Sequence, residues 1–159
     1  NSDVHGITDW LFDIPAGKHR PMTFVLAEIR DKEAIKAALK KGKTVVWFKD
    51  LLIGKTDNLL PVLYANLSCQ LLGYKPNGVA IARVQIRNHS ALPIHLEYLG
   101  PFTFHRNSRF IQVPAYGSLE LHLKTLQRLD SFQLPFKVLN ALTAPKQHPS
   151  LYFQLVAGE

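Results

Sequence analysis

The hydrophobic rhythm of the chain changes once, near residue 67. Before that point apolar residues come in short runs or at helical spacing; after it they alternate with polar ones. Residues 22–27 form a short apolar run without alternation, which predicts a buried strand. Ala34, Ile35, Ala38 and Leu39 recur at helical spacing, with Asp31 placed to cap the first turn. Gly42 stands where a helix-terminating glycine belongs, so a helix is predicted over residues 31–41. Thr44-Val45-Val46-Trp47-Phe48 is β-branched and aromatic and predicts a second strand. Strand, helix and strand in this order suggest a right-handed parallel crossover. Residues 6–22 read as loop, being rich in Gly, Pro and Asp. Residues 49–66 read as a bridge in which Asp57 opens a short helix, with Pro61 tolerable only in its first turn.

From Leu67 onward the period is two. Ala80, Ala82, Val84 and Ile86 alternate with Ile81, Arg83, Gln85 and Arg87, and Ile94, Leu96 and Tyr98 with His95 and Glu97. Leu119, Leu121 and Leu123 alternate with Glu120, His122 and Lys124. Short strands separated by turn residues predict an antiparallel sandwich with Val84, Ile86, Leu96, Leu121 and Leu123 in its core. Residues 132–139 and 151–156 supply the last strands, and Pro135 suggests an edge or a bulge. The expected division is therefore residues 1–66, an α/β remnant with a linker helix, and residues 67–159, a β-sandwich. The fold class is α+β.

Composition changes little in this picture. A chain of 159 residues with 47% hydrophobic and 19% charged positions is ordinary globular protein. No apolar run approaches the roughly 20 residues of a membrane span. Cys69 is the only cysteine, so no intrachain disulfide forms, and its apolar surroundings predict a buried, inert thiol. The net charge of +7 favours anionic ligands. Its one dense cluster, Lys40-Lys41-Gly42-Lys43, complements the carbonyl end of the predicted helix instead. Nucleic-acid binding is disfavoured by the lack of any basic motif interleaved with aromatics. Absent too are a Gly-x-Ser-x-Gly elbow and a glycine-rich phosphate loop, which argues against serine hydrolases and nucleotide binders.

Candidate chemistry gathers at the start of the chain. Asp3 and His5 flank one residue, so in extended backbone a carboxylate and an imidazole face one point. That donor pair suits zinc, manganese or iron(II), although a polar strand end would read the same way. His19 and Arg20 follow in the loop, where Arg20 offers forked donors to a phosphate or merely leads into the next strand. His95 and His122 occupy outward strand positions and read as solvated surface histidines. Pro101-Phe102-Thr103-Phe104-His105 is explained as well by core packing of its two Phe residues as by a turn toward an active site.

The order of these features resembles the end of a known catalytic domain. Asp3-Val4-His5, then Thr8-Asp9-Trp10, Gly17-Lys18-His19-Arg20-Pro21, and the helix running into Gly42-Lys43-Thr44 resemble the polymerase-and-histidinol-phosphatase (PHP) family of metal-dependent phosphoesterases. Leu52-Ile53-Gly54-Lys55, Pro101 to His105 and Leu139-Asn140-Ala141-Leu142-Thr143-Ala144-Pro145 are similar to bacterial PHP-type phosphodiesterases that carry a β-sandwich tail. The resemblance implies that residues 1–66 end a PHP-type barrel and that an Ig-like antiparallel sandwich follows. It implies Asp3 and His5 as metal ligands, beside which the loop residues His19 and Arg20 are the candidate substrate contacts. Zinc, manganese or iron would be the cofactor, and a phosphorylated small molecule the substrate. The family's other ligands lie upstream, and this chain opens at Asn1 without Met, so the expectation is the C-terminal part of a longer enzyme. That part would be inactive alone, its partner being the N-terminal remainder of the catalytic domain. The other reading is a non-catalytic β-sandwich binding module.

Overall fold

The computed structural model describes residues 5–76 and 80–157. Two compact units divide the chain: Asn1–Leu59 with Ala141–Gln147, and Leu60–Asn140 with His148–Glu159.

The first unit is built on a four-stranded sheet in the order β1-β2-β3-β11. The segment read as loop carries two short helical pieces, α1 (Thr8–Phe12) and a 3-10 turn at Ile14–Ala16. Asp13, at φ 50°, separates them, and its carboxylate pairs with Lys18 at 2.9 Å. Strand β1 (Met22–Val25) leads through residues 26–31 into α2 (Lys32–Lys40). The Asp31 side chain accepts the Ala34 N–H at 2.8 Å, the expected cap, and Gly42 takes φ 64° just past the helix.

Strand β2 (Thr44–Phe48) returns antiparallel to β1, with Met22 opposite Trp47 and Val25 opposite Thr44. This corrects the parallel crossover. The Leu26 N–H donates to Lys43 O at 2.9 Å, so the chain leaves and re-enters the sheet at one end. A parallel return would have to carry the chain back along the whole strand before pairing. Strand β3 (Leu51–Gly54) was not expected; it forms a hairpin with β2 through Lys49-Asp50, Lys49 taking φ 53°. Asn58, nearly buried, donates its side-chain amide to Gly42 O at 2.9 Å and Thr44 O at 3.1 Å. That ties the start of α3 (Thr56–Asn66) to the turn before β2.

Pro61 lies inside α3 and not in its first turn, a second correction. Only the hydrogen bond to the Asp57 carbonyl is forfeited, one turn from the helix start, and the helix runs on. The last strand of this sheet, β11 (Ala141–Leu142), comes from far along the chain and pairs parallel to β3.

The second unit is a sandwich of two four-stranded sheets. One has the order β4-β5-β9-β7, from Leu67–Tyr74, Ala80–Asn88, Ser118–Leu126 and Thr103–Phe104. The other has the order β12-β10-β6-β8, from Ser150–Val156, Ser131–Val138, Ile94–Tyr98 and Phe110–Val113. All five predicted core residues, Val84, Ile86, Leu96, Leu121 and Leu123, have no exposure. Each such side chain contributes about 1.5–3 kcal/mol by leaving water. Tyr98 of β6 packs on Phe104 of β7 at 5.0 Å between ring centres, and Phe102 on Phe132 at 5.5 Å. Core packing therefore accounts for the Pro101–Phe104 segment. Buried Asn88 donates to the carbonyls of Leu92 and Pro114 and accepts from Ser90, which closes one end of the sandwich.

Pro135 sits in β10, an interior strand, which corrects the edge or bulge expectation. Its carbonyl accepts from Leu99 N–H on the β6 side, at 3.0 Å, so its missing N–H faces that side too. Ladder pairing with β6 begins only at Phe136, beyond the proline, and pairing with β12 is undisturbed. The outer edge of β12 is covered in part by Tyr64, whose hydroxyl accepts the Tyr152 N–H at 2.9 Å.

Candidate functional site

In the first unit the antiparallel register places Trp47 beside Met22 and two residue pairs away from Phe24, on the same face of the sheet. Phe24 stacks on the Trp47 ring at 6.0 Å, and His19 packs against its indole at 4.0 Å. The indole N–H donates to Lys49 O at 2.5 Å, which fixes the ring against which His19 rests. His19 Nδ1 lies 2.6 Å from the carbonyl of Arg20. A carbonyl only accepts, so His19 donates from Nδ1, and in the neutral ring Nε2 is then the acceptor. Such an imidazole can accept a proton or ligate a metal; protonated, it offers an N–H to an anion. Arg20 is exposed beside it, as is His5 at the start of the described chain.

Asp3 lies outside the described residues, so the Asp3–His5 pair has no measured geometry. Among the described residues no three His, Cys, Asp or Glu side chains come together as a metal site. A tetrahedral metal needs four donors, and even an open catalytic site takes three from the protein. Asp3 and His5 alone do not meet that demand. The described residues bring His19 together with Trp47 and the Arg20 backbone.

A second polar cluster, not anticipated from sequence, occupies the outer face of β5, β9 and β7. Arg83 stands opposite His122, and Gln85 opposite Glu120. Arg83 grips Glu120 with two donors at 2.7 and 3.1 Å, and His122 Nε2 lies 2.8 Å from the same carboxylate. The Glu120 carboxyl falls from 4.5 to about 2, held there by hydrogen bonds from Arg83 and then His122. His122 is therefore a largely covered hydrogen-bond partner of Glu120 and not a solvated surface residue, a correction to the sequence reading. The Glu-x-His spacing on β9 carried the signal; the missing piece was the register that brings Arg83 across.

Beyond His122 lies His105, joined to it through a backbone bond from His105 N–H to His122 O at 2.7 Å. Its pKa is lowered first by displaced water, then by the charges of Lys75, Lys124, Arg106 and His122. Cys69 is half-buried on the inner side, opposite Ile86, and burial pushes its thiol up to about 12. At that value it is inert as a nucleophile.

The sandwich topology agrees with comparison to known proteins. A family model described as an Ig-like domain matches residues 72–154, just over half of the 159. The chain belongs to this Ig-like domain family. The matched region runs from the end of β4 into β12 and also takes in β11, the strand lent to the first unit. No curated protein matches the chain.

Among solved structures, one match is a crystal structure from Bacteroides vulgatus ATCC 8482. It is described as a two-domain protein containing a predicted PHP-like metal-dependent phosphoesterase. The two share 24% identity with a TM-score of 0.82, over 97% of this chain and 44% of that one. At that identity the likeness is one of fold. The chain spans less than half the length of that protein.

Proposed function

We propose that this chain is the C-terminal portion of a PHP-type metal-dependent phosphoesterase, its Ig-like domain serving as the accessory part. The observation that carries the reading is the extent of the fold likeness. A TM-score of 0.82 over 97% of the chain takes in the first unit as well as the Ig-like region. A shared Ig-like domain alone would leave residues 1–71 unmatched. In this reading residues 1–66 end the catalytic domain with its linker helix, and residues 67–159 form the accessory domain.

Asp3 and His5 would supply two ligands of a zinc, manganese or iron site, the others coming from the N-terminal remainder. A metal so held polarises phosphoryl oxygens and acidifies bound water. His19 and Arg20 are the proposed contacts to the phosphorylated small-molecule substrate. Arg20 would grip two oxygens with its fork, and His19, braced by Trp47, would hold or release a proton at Nε2.

The test uses the full-length protein, with metal content by elemental analysis beside phosphodiester and phosphomonoester kinetics. Loss of a group that only hydrogen-bonds a metal ligand costs about 10- to 100-fold. Asp3→Asn and His5→Ala are expected to exceed that and to lower metal content. Arg20→Lys should raise KM with metal content unchanged, because charge is kept and the fork lost. Arg87→Ala, exposed on the outer face of β5, is the control. Unchanged metal and rates in both Asp3→Asn and His5→Ala would sink the assignment.

A further inference from the structure

The Ig-like unit is electrically and chemically lopsided along its strands. Tyr74 pairs with Ala82, Ala80 with Leu126, Ser131 with Val156 and Glu97 with Phe110. These registers bring the end of β4, the start of β5, the β6–β8 and β9–β10 connections and the C-terminal end of β12 to one tip of the sandwich. Among the described residues that tip carries Lys75, Arg106, Arg109, Lys124 and Arg128 against one carboxylate, Asp130. Glu97, the nearest other acid, is taken by Lys137 at 2.9 Å. Glu159 lies outside the described residues.

The same tip exposes apolar side chains. Leu126 is 87% exposed, Phe110 62% and Val156 64%, with Leu72 and Leu99 also uncovered. Leu126 is held out by its surroundings. Buried Thr125 donates to Gln127 O at 2.8 Å, and the Tyr74 hydroxyl accepts the Leu129 N–H at 2.9 Å. Between these two pins Leu126 adopts φ 66°, a conformation that leucine rarely takes and that turns it into water. A leucine kept in a disfavoured backbone state at the apex of a braced turn points to a use for its exposure.

We propose that this tip of the Ig-like unit docks on an anionic phospholipid surface, with Leu126 and Phe110 entering the interface and the surrounding cations resting on the headgroups. The proposal goes beyond the phosphoesterase reading and does not depend on it. Interleaved cations and apolar groups distinguish a bilayer from a soluble polyanion, which would gain from the first and nothing from the second. Two weak signals, a short apolar insertion and a basic patch, are what stable peripheral binding requires. Each cation near an anionic surface contributes about 1 kcal/mol, or roughly fivefold in affinity.

The test is co-sedimentation of the 159-residue chain with vesicles of phosphatidylcholine, alone or mixed equally with phosphatidylglycerol. Binding is expected on the mixed vesicles only, weakening as salt rises. Lys75→Gln and Arg106→Gln should each weaken it about fivefold. Leu126→Asp and Phe110→Ser should weaken it further, with thermal melts confirming folding; both positions are exposed, so folding should survive. Arg87→Gln and Tyr116→Ser, away from this tip, should bind as the parent chain does. Absence of binding, or equal binding to neutral vesicles, overturns the proposal. So does a pattern in which Leu126→Asp binds normally and soluble heparin competes fully, which would mark a polyanion site.

Discussion

Glu120 shows how much a single outward residue depends on its neighbours across the sheet. Its carboxylate is shared by Arg83 and His122, and its pKa stands at about 2 where 4.5 is ordinary. In the unfolded chain those partners are gone and the group titrates near 4.5. The folded state therefore binds the proton more weakly, and the pair stabilises the fold fully above about 4.5. That contribution fades as pH falls toward about 2. Glu120→Gln is expected to lower the melting temperature near neutral pH. It should also flatten the acid decline between those two values, as read by melts across the range. An equally steep decline in the variant would mean that other carboxylates carry it. The alternation of β5 and β9 was enough to place Arg83, Glu120 and His122 on the outer face. It could not say which of them meet, because partner choice depends on register between strands more than 30 residues apart.

At the scale of elements, local signals succeeded where one residue type does one physical job. Asp31 was legible as a cap because only a short acceptor side chain satisfies the free N–H groups of the first turn. Asp31→Ala should cost about 1 kcal/mol and Asp31→Asn much less, by urea denaturation midpoints. Equal losses in the two variants would show that charge, and not the acceptor, matters there. The misread elements share a different cause. Strand β3 was hidden because its hairpin turns on Lys49-Asp50, with Lys49 at φ 53°, instead of on a glycine or asparagine signal. The direction of β2 against β1 left no trace in the hydrophobic pattern, since apolar runs of either sense read alike; nor did the run over residues 22–27 mark a buried strand, because β1 lies at the sheet edge with Thr23 and Phe24 exposed. Pro135 was misplaced because its effect depends on where β6 stops, a fact about another strand. For the candidate site, the residue types Asp3, His5, His19 and Arg20 were visible. The support of His19 by Trp47 was not, because it rests on the antiparallel pairing that places Met22 opposite that indole.

At the scale of the molecule, the chain runs from the first unit into the Ig-like unit, returns to the first at Ala141–Gln147, and finishes in the second. Nothing in the run Val138-Leu139-Asn140-Ala141-Leu142 signals that detour, since apolar residues serve either core equally well. The geometry suggests that the detour matters to one unit and not to the other. On the Ig-like side the β10–β12 hairpin is already closed by Val138 N–H to Pro149 O at 2.9 Å and by Lys137 opposite Ser150. Asn140 is anchored there too, accepting from His95 N–H and donating to Pro93 O. On the other side, fully buried Ala141 lies against Leu52, itself 5% exposed, and Leu142 against Ile53. Replacing Ala141–Gln147 by a Gly-Gly link while keeping Asn140 should uncover Leu52 and destabilise the first unit. The expected loss is about 1.5–3 kcal/mol, the worth of one buried aliphatic side chain. Hydrogen exchange read by mass spectrometry separates the two units. Protection should fall in β2 and β3 and persist in β5 and β9. A joint loss in all four strands would show that the returning segment supports the sandwich as well, contrary to the hydrogen bonds that already close it.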